Sequence, residues 1–105
     1  MYEVHIFAAT ASATDTNIGP YRTGDRHAML ILSRQLAGTE HDWSQAELGA
    51  AEAGWTDFRF TRAGTLSAEN LNGKDHHFVE AYERAMFGGY GVVVYRDPLE
   101  ASDEE

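Results

Sequence analysis

From Asp75 to Tyr95 the hydrophobic period changes within a few residues, and that change constrains the fold more than any other feature of the chain. Phe78, Ala81, Tyr82, Ala85 and Met86 fall at i, i+3, i+4, i+7 and i+8 behind Asp75, the pattern of an amphipathic helix with an aspartate at its N-cap. Gly88-Gly89-Tyr90-Gly91 ends the helix, and Val92-Val93-Val94-Tyr95 follows as an unbroken apolar run, which predicts a central strand covered on both faces. A helix with such a stripe needs a sheet to lie on. The glycines lead from a helix into a strand, the reverse of the order in a phosphate-binding loop. They therefore read as a C-cap and a close backbone crossing.

Upstream, residues 2 to 9 alternate, with Val4, Ile6 and Ala8 on one face and Glu3, His5 and Phe7 on the other, which predicts a first strand. Thr10 to Gly24 is polar, small and aperiodic, a long loop. Thr23 or Asp25 can cap a helix through His27–Leu36, where Met29, Leu32 and Leu36 share a stripe and Gly38 ends it. A second, peripheral helix is expected from Asp42 to about Ala53. Asp42 and Gln45 have capping-box spacing there, and the apolar positions Ala46, Leu48, Ala50, Ala51 and Ala53 are mostly small. Trp55–Arg62 alternates again and points Phe58 and Phe60 inward. Thr65–Leu71 fits either a short strand or a turn of helix capped by Ser67, and Pro98 stops the sheet. A chain of 105 residues holds one core. The expectation is one α/β domain over residues 1–97, an α+β sandwich of three to four strands with two to three helices packed on them. A ferredoxin-like arrangement is one form this could take. A flexible acidic tail is expected over 98–105.

Charge narrows the function classes. The chain carries 17 Asp and Glu against 8 Lys and Arg, for a net charge of −9. No lysine or arginine occurs between Arg34 and Arg59, a stretch that holds Glu40, Asp42, Glu47, Glu52 and Asp57. Such a field repels phosphate backbones and anionic lipid and favours basic surfaces, so neither direct nucleic-acid binding nor membrane binding is expected. Cysteine is absent, which removes thiol catalysis and cysteine-ligated zinc. The N-terminal residues lack the pattern of a signal peptide and no apolar run approaches a bilayer span, so a cytoplasmic protein is the default expectation.

Three sets of residues are candidates for chemistry. The acidic band of Glu40, Asp42, Glu47, Glu52 and Asp57, flanked by Trp43 and Trp55, suits a protein partner with a basic surface. Carboxylates would steer that association and either tryptophan could serve as an aromatic anchor, although Trp55, at the start of a strand, reads more simply as buried. The alternative is a ligand or catalytic site in the 10–27 loop, with Tyr21, Arg22, Asp25, Arg26 and His27. The two arginines would hold an anion, and His27 or Asp25 would act as general acid or base. His76 and His77 open the last helix, and Glu80, four and three residues on, puts a carboxylate on the same helical face as an imidazole; this makes only half a metal site, and the histidines read as solvated or as helping to cap the helix. No nucleophile elbow, close carboxylate pair or nucleotide fingerprint is present, and no cofactor or metal is expected.

In size and composition the chain resembles phage-encoded anti-restriction and anti-CRISPR inhibitors, a likeness that covers no motif. The leading expectation is a non-enzymatic inhibitor or adaptor that binds a basic, nucleic-acid-binding protein surface. A small-molecule-binding or catalytic domain using the 10–27 loop is the alternative. A homodimer through an exposed sheet edge, or through the strand face that carries Phe7, is a third arrangement.

Overall fold

Alternation and chain reversal build the sheet. In the computed structural model, which describes residues 1–17 and 19–99, β1 (Tyr2–Ala13) and β2 (Arg26–Leu36) form a long antiparallel hairpin, in register from Tyr2 opposite Leu36 to Ser12 opposite Arg26. Then come α1 (Trp43–Glu52), β3 (Trp55–Leu66), a short 3-10 turn (Ala68–Leu71), α2 (His76–Gly88) and β4 (Tyr90–Val94). The sheet order is β3-β1-β2-β4 and every neighbouring pair is antiparallel. This is an α+β fold, a four-stranded antiparallel sheet with two helices packed on it. Its chain order of β, β, α, β, α, β differs from the β, α, β, β, α, β of a ferredoxin-like domain.

The helices lie on opposite faces of the sheet. On one, Phe7, Ala9, Ala11 and Ala13 of β1 join Met29 and Ile31 of β2, Trp55 of β3 and Ala46, Ala50 and Ala53 of the α1 segment in one buried cluster. On the other, Val4 and Leu32 pack with Leu66 and with Ala81 and Ala85 of α2. Odd and even positions of β1 thus serve different layers, as the period of two requires.

Four expectations need correction. The helix predicted over 27–36 is β2. The run Met29-Leu30-Ile31-Leu32 fits a strand buried on both faces as well as a helical stripe, and pairing with β1 along its whole length decides between them. Thr10–Ala13 belongs to β1 rather than to the loop, so the connection to β2 spans only residues 14–25. Phe7 lies in the core at 0 % exposure, so its strand face is not open to a second copy. β4 is an edge strand, not a central one, although both faces of it are covered: Val92 and Val94 pack on the α1 side and Val93 on the α2 side.

Elsewhere local chemistry and structure agree. Asp42 and Asp75 cap α1 and α2 by accepting from the backbone N–H of Gln45 and Phe78, each at 3.0 Å. Thr65–Leu71 is both things at once, strand to Leu66 and then a 3-10 turn behind Ser67. Gly89 takes φ 103° as the C-cap of α2, and a side chain at Gly91 would collide with the carbonyl of Ala81. Leu99 pairs with Arg26 beyond Pro98, and the acidic residues from Glu100 on lie outside the described residues. Among the described residues no helix is long and apolar enough to cross a membrane.

Candidate functional site

The acidic helix is fixed to the sheet by a polar corner on the α1 face. Gln35, buried at the end of β2, clasps the backbone of Asp42: its Oε1 accepts from the Asp42 N–H at 3.0 Å, and its Nε2 donates to the Asp42 carbonyl at 3.2 Å. The side chain thereby gives the Asp42 N–H its partner and adds a second donor to a carbonyl that already accepts from the Ala46 N–H at 3.2 Å. Gln45 Nε2 adds a bond to the carbonyl of Arg34 at 3.3 Å.

Behind this clasp lies a chain of titratable groups. Fully buried His5 lies 2.7 Å from Glu3 through Nε2 and 3.0 Å from His41 Nδ1 through its own Nδ1. An ionised Glu3 only accepts, so His5 Nε2 carries a proton, and a single hydrogen is shared between the two facing Nδ1 atoms. The hydrogen bond from His5, aided by the backbone N–H of Gly38 and by the nearby imidazoles against a smaller desolvation cost, holds the Glu3 carboxyl below its usual range. This cluster ties the 37–42 loop to β1. Sequence reading missed it because nothing in the spacing of His5 and His41 brings them together.

Onto this support the fold sets an acidic surface. Glu40, Asp42, Glu47 and Glu52 are exposed, and no lysine or arginine occurs in α1 or in the loop before it. Ala46, Gly49 and Ala50 face the sheet, so Leu48 points the opposite way, 67 % exposed between Glu47 and Glu52. Trp43 is 41 % exposed, with its ring held edge-on against Phe7 at 5.2 Å and Phe60 at 5.3 Å. The inward stripe at 46, 50 and 53 leaves Leu48 out by period alone, a signal the grouping of all apolar positions of α1 obscured.

Asp57 does not belong to this surface. It is the extra residue of a bulge in β3, with φ 56°, and its carboxylate meets Arg26 at 3.1 Å on the α2 side of the sheet. Arg26 also donates to Ser12 Oγ, Thr10 Oγ1 and the carbonyl of Asp57. Trp55 is buried, as its place at the start of a strand suggested.

The residues of the 10–27 loop are divided between the two faces. Tyr21 lies against His27 and Trp55 at 4.9 and 5.2 Å on the α1 side, while Arg26 points to the α2 side. His27 is buried and donates from Nδ1 to the carbonyl of Tyr95 at 2.8 Å. Arg22 is exposed and Asp25 half-buried. The loop is pinned by Asn17, whose Nδ2 donates to the carbonyls of Thr14 and Tyr21, and by Thr14, whose hydroxyl donates to the carbonyl of Gly54. Order therefore comes without convergence, since the five candidate side chains do not meet around one space. His76 and His77 are exposed with their rings 4.1 Å apart, and among the described residues no three His, Asp or Glu side chains gather as metal ligands would.

Among the described residues two concave regions stand out. One, of about 660 Å³, follows the free edge of β4 between Tyr21, Trp55, Val92, Val94 and Phe87. The other, of about 720 Å³, lies on the α2 face where Ile6, Ala8 and Leu30 form its floor. No protein-family model, curated protein or solved structure matches this chain.

Proposed function

We propose that the protein is a non-enzymatic interaction module that docks the outer surface of α1 and the loop before it on a basic surface of another protein. One observation carries this reading: four exposed carboxylates, Glu40, Asp42, Glu47 and Glu52, lie on the segment that also presents an exposed Leu48 and a braced Trp43, and no lysine or arginine occurs in it. Charge complementarity speeds encounter and selects the partner, while a rigid aromatic and an exposed aliphatic side chain supply area that binding can desolvate. The clasp of Gln35 on Asp42 lowers the ordering cost on binding, because the acidic surface is built before the partner arrives.

A groove shaped for phosphate on a nucleic-acid-handling protein has the matching chemistry. In this reading the protein acts as an inhibitor or adaptor in the manner of anti-restriction and anti-CRISPR proteins. The loop reading has less support, since Arg26 and His27 face opposite layers.

Partner capture with the wild-type protein and with the Glu47→Arg/Glu52→Arg pair, washed at rising salt, tests the proposal. The expected result is a basic protein that is retained at low salt, released as screening increases and held at least about tenfold more weakly by the double variant. A partner held equally by the variant, or one indifferent to salt, would defeat it.

A further inference from the structure

The α2 face carries an open groove that the acidic surface does not explain. α2 covers β2 and β4 and seals the cluster of Val4, Leu32 and Leu66, but a single helix about 10 Å wide cannot cover four strands spaced about 4.8 Å apart. Beyond the helix the sheet is left with a shallow floor of Ile6 and Ala8 of β1 and Leu30 of β2, continued by Gly64 of β3. Phe78 of α2 and Tyr95 after β4 form aromatic walls. The space is about 720 Å³, within the range of about 300–1,000 Å³ typical of small-molecule sites.

The rim is charged in the opposite sense to the rest of the protein. Arg62 and Lys74 both line the groove, and among the described residues neither has a carboxylate within ion-pair distance. Lys74 is held over the Phe78 ring at 5.7 Å, which keeps its ammonium at the groove mouth. Glu69 is the one acid on the lining, and Asp57 is engaged by Arg26. Two cations without ion pairs among the described residues, beside an apolar floor in a chain of net charge −9, are a specific arrangement.

We propose that this groove binds an amphipathic organic anion, a flat apolar body bearing one carboxylate or sulfonate. The small residues Ala8 and Gly64 admit a planar group against the sheet, Phe78 and Tyr95 flank it, and Arg62 and Lys74 hold the acid where it leaves the apolar floor. The site lies on the sheet face opposite α1, so it stands independently of the partner-docking proposal.

Naphthoate is the probe, with naphthalenemethanol as its neutral counterpart, followed by calorimetry and by amide shifts of the full chain. Saturable naphthoate binding is expected, at least tenfold tighter than the alcohol, with shifts centred on Ile6, Ala8 and Leu30. Arg62→Glu/Lys74→Glu should weaken naphthoate at least tenfold and leave the alcohol unchanged. Ala8→Phe should weaken both by filling the floor, while Glu47→Arg/Glu52→Arg should change neither. The proposal is overturned by no saturable naphthoate binding, by equal affinity for the alcohol, by indifference to the Arg62/Lys74 variant, or by shifts confined to Val92, Val94 and Trp55, which would place the ligand in the other cavity.

Discussion

The two faces of the sheet are closed by opposite means. On the α1 face the sheet supplies the bulk, through Phe7, Phe60, Trp55 and Met29, and the helix supplies small residues, Ala46, Gly49 and Ala50, that let it sit close. On the α2 face the sheet is aliphatic and the helix brings the large side chains, Phe78, Tyr82 and Met86. Either pairing of large with small fills a layer. They differ at β3, which gives Phe58, Phe60 and Ala63 to the first face but Arg62 and Gly64 to the second, so aromatic packing reaches the edge strand on one side and stops short of it on the other. Over β3 one face is packed with rings beneath the acidic surface and the other keeps a groove, while the concave region of the α1 face lies at the opposite edge, between Tyr21, Trp55, Val92 and Val94.

The largest effect expected from this contrast compares Phe7→Ala with Leu30→Ala. Phe7 is fully buried against Trp43, Phe60 and His41, so its truncation leaves a cavity and should cost about 3–5 kcal/mol. Leu30 is half-buried over the groove and should cost about 1–1.5 kcal/mol, part of the roughly 1.5–3 kcal/mol that full burial of a leucine is worth. Urea melts of the two variants decide the matter, and equal losses would mean that the α2 face is as tightly filled as its opposite.

Two glycines sharpen the comparison at smaller cost. A methyl at Gly91 would meet the backbone carbonyl of Ala81, which cannot turn aside, so Gly91→Ala should lift α2 from β4 and destabilise by about 1–3 kcal/mol. At Gly49 the added methyl meets the Tyr90 side chain, with the nearest ring atom 2.8 Å away. Tyr90 has to shift, but helix propensity returns about 0.8–1 kcal/mol, so Gly49→Ala should cost less than Gly91→Ala in the same thermal or urea melts. The reverse order would show that α1, not α2, is the helix held by backbone contact.

The elements most legible in the sequence were those whose signals are local. Asp42, Asp75 and Gly89 mark the ends of helices through their own side chains or φ angles, and the structure places all three as caps. β2 was not legible, because Met29, Leu32 and Leu36 fall at helical spacing by coincidence and the pairing that overrides it is contributed by β1. That single misreading also hid the division of the loop residues. Neighbouring positions in a strand face opposite ways, so Arg26 and His27 could share a site only if they stood on a helix or loop. The acidity of α1 was legible from composition, whereas the turn of Asp57 toward Arg26 depends on a bulge that composition does not encode. The groove needs the strand order β3-β1-β2-β4, which no period count supplies.

The smallest effect tests what ties the acidic surface to its supporting face. Glu3 is 27 % exposed, and its carboxyl is held below the usual value of 4.5 chiefly by the hydrogen bond from His5, then by the Gly38 N–H and the imidazoles of His5 and His41. A carboxylate whose pKa is lower in the folded state than in the unfolded chain adds stability that is fully present above the unfolded value and is lost as pH falls through the folded one. Glu3→Gln removes that contribution. The wild-type protein should therefore be the more stable by a constant margin above about pH 5.5, and the margin should shrink as pH drops through and below 4.5 until the two melting curves approach each other. The loss should show first as opening of the 37–42 loop, read as faster amide exchange at Gly38, since that N–H donates to Glu3 at 3.3 Å. Melting temperatures that stay a fixed distance apart down to pH 3 would mean that Glu3 acts through its shape rather than its charge. The acidic surface would then rest on the Gln35 clasp and the aromatic packing of Trp43 alone.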